Sequence, residues 1–266
     1  MSAPSRALPL GGLAQWVLPV GLIIAWEAAA RFGFMSSRVL PPPSAVVIAG
    51  WKLALTGELW VNIAVSFLRA VTGLAIGGTF GFVLGLVNGL SRNFEVATDT
   101  LLQMVRNVPH LALIPLVILW FGIEETAKIF LVVLGVFFPI YINTLHGIKT
   151  IDPHLIEMGR TYGMTNRELF WRVILPGALP SIFVGLRYAL GFMWLTLIVA
   201  ETIAASSGIG YMAMQAREFL LVDVVVLSIL IYALLGKLAD STARLLERVC
   251  LNWHPAYQSR QACGRE

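Results

Sequence analysis

Four windows of this chain carry no Asp, Glu, Lys or Arg: 7–26, 70–91, 107–123 and 129–148. Each is close to or above the roughly 17–25 apolar residues that cross a bilayer as a helix. Two more stretches are apolar but broken by single charges. The first, 180–203, holds Arg187 and Glu201, and the second, 224–246, holds Lys237, Asp240 and Arg244. The pattern predicts an all-α integral membrane protein with about six transmembrane helices, at 13–33, 58–90, 99–120, 126–148, 180–203 and 222–246.

Two spans carry further patterning. Gly73, Gly77, Gly81, Gly85 and Gly89 recur every four residues in the second span, so they share one helix face. Such a ridge lets backbones approach closely, either for packing within one subunit or as a surface that slides during gating. The first span also reads as a cleaved signal peptide, with Arg6 ahead of it and Ala28-Ala29-Ala30 as a weak cleavage site. Its longer apolar run, with Trp26 and Glu27 where small residues would stand, favours an uncleaved helix. Between spans one and two, Pro41-Pro42-Pro43 is stiff and extended, and Ser44 is placed to cap a helix from Ala45 to Leu55, ending at Gly57. Trp51 and Lys52 suit that helix to the membrane interface; a plain connecting loop is the other reading.

The segment 151–176, IDPHLIEMGRTYGMTNRELFWRVILP, breaks the apolar pattern. Asp152 is a good N-cap, and Pro153 fits the first helical position. Gly163 stands where a helix C-terminus wants a left-handed residue. Thr165 and Glu168 then have capping-box spacing, and Leu175-Pro176 is placed to end the second helix. Short helices are marginal alone in water, so this helix–glycine–helix hairpin needs a docking partner, such as a soluble subunit that pushes on the spans.

Composition and charge narrow the function. Hydrophobic residues make up 58% of the 266 and charged residues 13%, against roughly a quarter charged in soluble domains. With the N-terminus inside, Arg6, Arg92, Lys149, Arg160, Arg167, Arg172, Arg244, Arg248, Arg260 and Arg265 fall in cytoplasmic segments, and Arg31, Arg38, Lys52 and Arg217 outside. Ten against four places both termini and the loop 149–179 in the cytoplasm. The net charge of +4 follows from that asymmetry, with no basic stripe interleaved with aromatics to suggest nucleic acid. Cys250 and Cys263 lie on the reducing side and share no ligand spacing with His110, His146, His154 or His254, so no metal site is expected. There is no phosphate-binding Gly-x-x-x-x-Gly-Lys and no dinucleotide fingerprint, so any ATP is bound by another chain.

Charges inside the spans are costly and need a purpose. Arg69 and Arg187 are placed to snorkel or to meet backbone carbonyls, with substrate contact as the other reading. Arg106, a third of the way into span three before Pro109 and Pro115, either lines a wet pathway attracting an anion or holds a subunit interface. Glu201 reads as a gate or a structural pair. Lys237 and Asp240, three apart, are expected to pair. His110 beside Pro109 reads as a polar filler.

The polar loop resembles that of the integral membrane permease subunit of ATP-binding-cassette importers. That family carries Glu-Ala-Ala, a glycine four positions on, and an Ile-x-Leu-Pro ending. Here Glu157-Met158-Gly159, Gly163 and Val173-Ile174-Leu175-Pro176 stand at that spacing, with Met, Gly and Val replacing family residues. Four further segments resemble the aliphatic sulfonate permeases: 106–115 with Trp120-Phe121-Gly122, 175–181, 193–202 and 232–240. Taurine, nitrate/bicarbonate and pyrimidine-precursor permeases share part of these motifs.

The resemblance implies a type I importer permease fold in the bacterial inner membrane, with a cytoplasmic tail over 1–12. A first helix and periplasmic interfacial segment would span 13–57, and a permease core 58–248. A second cytoplasmic tail would follow over 249–266. It implies a second copy of the chain, two cytoplasmic ATPase subunits and a periplasmic substrate-binding protein as partners. The chain itself would have no catalytic residues and no cofactor. Glu157, Met158, Gly159, Gly163, Leu175 and Pro176 would form the ATPase-coupling loop, and Arg106, Asn107, His110 and Glu201 would line the pathway. A secondary carrier without an ATPase should show acidic or His relays and an internal repeat, and a membrane enzyme should cluster His, Asp or Glu at one face; neither pattern is found.

Overall fold

The computed structural model describes residues 11–34, 36 and 39–253, all helical or irregular. Arg6, Arg38, His254, Arg260, Cys263 and Arg265, with most of both expected tails, lie outside the described residues. The helices are α1 (Gly11–Arg31), α2 (Pro43–Leu55), α3 (Glu58–Leu90), α4 (Arg92–Arg106), α5 (Ile114–Phe121) and α6 (Glu125–Lys149). They continue as α7 (Pro153–Thr161), α8 (Asn166–Leu169), α9 (Leu175–Ala204), α10 (Ile209–Glu218) and α11 (Val222–Cys250). Four continuous helical segments are long and apolar enough to cross a membrane: Glu58–Leu90, Glu125–Lys149, Asn166–Ile203 and Val222–Cys250. α1 occupies the expected first span.

The expected third span is not one helix. α4 and the following His110–Phe121 segment are bent by 78°. Asn107 closes α4, and Pro109 is held extended at φ −62°, ψ 110°. Proline drives the residue before it out of the helical region, which explains the break. Pro115 instead sits in the first turn of α5, where its missing N–H is no loss. α4 buries none of its residues, and Arg106 lies at its last position rather than inside a straight span.

The contacts group the described residues into two compact units. One takes in α1, α2 and residues to Val61 together with Met212–Leu230. Here Glu27 of α1 accepts from the Ser44 backbone N–H at 3.0 Å and its hydroxyl at 2.9 Å, so a carboxylate from another helix satisfies the start of α2. The expected Ser44 cap is corrected: Pro42 is the N-cap and Pro43 begins the helix, because the pre-set proline φ suits the first helical position. Val47, Trp51 and Leu55 are exposed along α2, while Val46 and Ala49 are buried.

The other unit, from Asn62 to Tyr211 and from Ile231 onward, is organised on α6. The glycine ridge of α3 packs within the subunit. A Cβ at Gly77 would stand 2.6 Å from the Val133 carbonyl oxygen, at Gly81 2.5 Å from that of Phe137, and at Gly85 2.9 Å from that of Tyr141. Only glycine allows this approach, since the obstacles are backbone atoms. On the opposite side, Gly147 and Gly185 bring α6 against α9, each 2.9 Å from a facing carbonyl oxygen when given a Cβ. Ile114 and Val117 seat α5 in a buried cluster with Ala127, Leu131 and Ala200.

Gly81→Ala is therefore expected to push α3 from α6 and to cost about 1–3 kcal/mol, as overpacking does. Gly191→Ala is the control, because a Cβ there meets nothing within 4 Å and alanine is the better helix former. Thermal unfolding of the two purified variants checks this: Gly81→Ala should fall below wild type and Gly191→Ala should not.

Candidate functional site

The polar hairpin forms as its caps require. The Asp152 carboxylate accepts from His154 N–H at 2.9 Å, and Pro153 opens α7. Gly163 has φ +78°. Met164 N–H bonds the Gly159 carbonyl at 3.1 Å and Gly163 N–H that of Arg160 at 2.9 Å, the paired bonds of a Schellman C-terminus. Thr165 and Glu168 make a complete capping box. The Thr165 N–H, and then its hydroxyl, hold the Glu168 carboxyl below its ordinary range. That stabilisation is present above the unfolded carboxylate pKa and is lost as pH falls through the depressed folded value.

The second helix does not end at Leu175-Pro176. Phe170–Ile174 forms a π turn, and α9 continues from it into the membrane. A proline ring clashes with the carbonyl four residues back and offers no N–H; the wider π turn directly ahead of Pro176 relieves that conflict. The corner of the hairpin is thus joined to span five by unbroken helix. Gly159 is buried, and a Cβ there would come within 2.7 Å of Leu169 Cδ1, the movable end of a side chain, so the residue standing for the family's second alanine lies where α7 packs on α8. Glu157 is exposed, with His154 Nδ1 at 3.9 Å. Leu155 and Met158 on α7 and Tyr162 at its C-cap form an exposed stripe, with Trp171 exposed on the π turn. The 155/158/162 helical spacing is visible in the sequence.

Three of the four expected pathway residues come together. Arg106, Asn107 and His110 line a cavity of about 410 Å³ with Leu134, Phe138, Asn143, Tyr188 and Phe192. The α4–α5 break places them at its wall. His110 Nε2 lies 3.1 Å from the buried Thr196 Oγ1 and its ring meets Phe192 edge-on, so the imidazole is fixed as well as filling space.

Glu201 is elsewhere, and of its two readings the structural pair is the one observed. It is 1% exposed and accepts from Ser66 Oγ at 2.8 Å, Arg69 Nη1 at 2.7 Å, Gly210 N–H at 2.9 Å and Tyr232 OH at 2.8 Å. Arg69 neither snorkels nor meets backbone alone. It also grips Glu125 through two 2.6 Å bonds and the Ser207 carbonyl at 2.6 Å. Asn62 accepts from Gly208 N–H and Ser66 from Ile209 N–H, so three consecutive donors entering α10 are met by side chains. Asn62, Ser66 and Arg69 share one α3 face by helical spacing, the signal that could have revealed them.

Asp240 does not pair with Lys237. It takes Arg244, four residues on, and Arg187 at 3.3 Å, while Arg187 also approaches Glu247 at 3.8 Å. An acid four residues ahead of a base on a helix pairs better than a base three ahead of an acid. Arg187 is thereby matched with carboxylates rather than snorkelling.

A capped polar hairpin is thus fused to a long apolar helix, beside glycine-packed helices. The model of the binding-protein-dependent transport system inner membrane components matches residues 77–249. The chain belongs to that family. As a permease, it is 62% identical over 94% of its length to the aliphatic sulfonates transport permease protein SsuC of Escherichia coli, 95% of which is covered. It is 44% identical to the SsuC of Bacillus subtilis, over 93% of this chain and 90% of that one. The taurine transport system permease TauC of Escherichia coli is 38% identical, over 89% and 88%. A solved amino acid ABC transporter aligns with TM-score 0.60 at 18% identity, over 74% of this permease and 96% of that chain. An inward-facing MetNI methionine transporter aligns at 0.54, also with 18% identity, over 74% and 97%. These two likenesses concern the fold, which is that of type I importer permeases.

Proposed function

We propose that this permease is the translocation subunit of an ATP-driven importer for aliphatic sulfonates, used as a sulfur source. The observation carrying the substrate is the order of identities: 62% and 44% to permeases named for aliphatic sulfonates, against 38% to one named for taurine. Two copies form the pathway, because one chain offers one hairpin and two-fold pairing is the commonest symmetric assembly. Two cytoplasmic ATPase subunits dock on the hairpins and bind the ATP, and a periplasmic binding protein delivers the substrate. The exposed stripe of α7 and its C-cap, with Glu157, supports that docking, and the unbroken helix from α8 into α9 supports transmission of the ATPase motion to the spans. Arg106, Asn107 and His110 face the route.

The test is reconstitution with the ATPase and binding protein in proteoliposomes. ATP-dependent uptake of ethanesulfonate is the expected outcome. Uptake of taurine or nitrate alone would reassign the substrate, and uptake without the ATPase would make the chain a secondary carrier.

The same reading puts both termini and the loop 149–179 in the cytoplasm of the bacterial inner membrane. In a background without Cys250 and Cys263, Thr56→Cys should react with an impermeant maleimide in whole cells and His154→Cys only after permeabilisation. Labelling of both from one side would overturn this topology.

A further inference from the structure

The 410 Å³ cavity is chemically lopsided. Its cation is Arg106, whose guanidinium has no hydrogen bond or ion pair among the described residues. Arg69 and Arg187, by contrast, are matched with carboxylates. Away from the α4–α5 break the lining is largely apolar, through Leu134, Phe138, Ile142 and Phe192, with Asn143 and Tyr188 as its polar members. Among the described residues no Asp or Glu lines it. Arg106, Phe138 and Ile142 also line an adjoining cavity of about 230 Å³ with Asp99, whose carboxylate accepts there from Gln103 at 2.6 Å.

We propose that this cavity is a selectivity site in the permease itself. It takes the sulfonate group at Arg106 and an uncharged alkyl chain against the Phe138 and Phe192 side, and it rejects sulfonates bearing an ammonium group. The inference rests on the sulfonate reading above. A permanent anion meets a guanidinium that lacks a partner, and charge-assisted bonds to such a group are strong. An alkyl chain gains by leaving water, about fourfold in affinity for each buried methylene. An ammonium would lose hydration among apolar side chains with no carboxylate to replace it, at a cost of at least about tenfold. Selection on entry would thus add to whatever the delivering protein selects.

Propane-1-sulfonate and taurine are close in shape, differing in a terminal methyl against an ammonium, so they isolate this term. Equilibrium dialysis would measure their binding to the permease–ATPase complex in nanodiscs without the binding protein. Propane-1-sulfonate should bind at least about tenfold more tightly than taurine, and butane- and pentane-1-sulfonate should gain about fourfold per methylene. Arg106→Gln should weaken all three alkanesulfonates by about tenfold or more while the ATPase stays bound. Phe192→Ala should flatten the gain with chain length. Equal affinity for propane-1-sulfonate and taurine overturns the inference. So does absence of binding in a complex that, completed with its binding protein, imports propane-1-sulfonate; the substrate reading then stands. A completed transporter that imports no alkanesulfonate removes the substrate reading, and this inference with it.

Discussion

Glu201→Leu should leave little folded permease. The side chain is buried and accepts four hydrogen bonds, from α3, α10 and α11. Leucine would fill much of the volume but strand the donors of Ser66, Gly210 and Tyr232 and half of the Arg69 guanidinium. Removing one partner of a buried ion pair costs roughly 3–5 kcal/mol, because the other charge stays behind. Orphaned neutral donors add about 1–3 kcal/mol each where water cannot reach them. Glu201→Gln should be milder, since its carbonyl can still accept from two donors. Arg69→Met should resemble Glu201→Leu, because it frees both Glu201 and Glu125. The yield of monodisperse protein by size-exclusion chromatography, with thermal unfolding of what remains, ranks the three. Wild-type stability in Glu201→Leu would mean that this network does not hold the spans.

Gly163→Val should disconnect the hairpin while sparing the spans. A Cβ at Gly163 meets no atom within 4 Å, so crowding is not the difficulty. The difficulty is φ +78°, where a β-branched side chain is opposed by its own backbone by roughly 1–2 kcal/mol. The hairpin is short and has few buried residues, among them Gly159 and Leu169, so a strain of that size competes with its whole local stability. Gly163→Asn is the informative control, because asparagine tolerates the left-handed region. ATPase subunits should co-purify with wild type and Gly163→Asn, and far less with Gly163→Val, at unchanged permease yield.

Local chemistry was legible along the chain. The Asp152 and Thr165 caps, the Gly163 corner and the four-residue glycine ridge each follow from neighbours within one or two turns, and each stands where the pattern put it. Pairings across the fold were less so. Asp240 had a sequence neighbour in Lys237, but its partners include Arg187, 53 residues away. Arg69 meets Glu125 and Glu201, 56 and 132 residues away, and nothing local distinguishes that fate from snorkelling. The effect of each proline depends on its surroundings. Pro109 breaks span three, Pro115 merely starts a helix, and Pro176 follows a π turn within continuous helix. The cavity was half visible: Arg106, Asn107 and His110 lie within five residues, whereas Phe138 and Asn143 come to it from α6 and Phe192 from α9.

The central claim is that ATP hydrolysed by a docked subunit drives this permease through the 149–179 hairpin. The most direct measurement follows uptake of labelled ethanesulfonate and ATP turnover together, in proteoliposomes holding wild type, Glu157→Ala or Gly163→Val permease, each supplied with the ATPase and the binding protein. Wild type should couple the two, with turnover rising when loaded binding protein is present. Both variants should lose uptake together with that stimulation, because the membrane spans remain but the ATPase no longer moves them. Normal uptake and normal stimulated turnover in both variants would contradict the account.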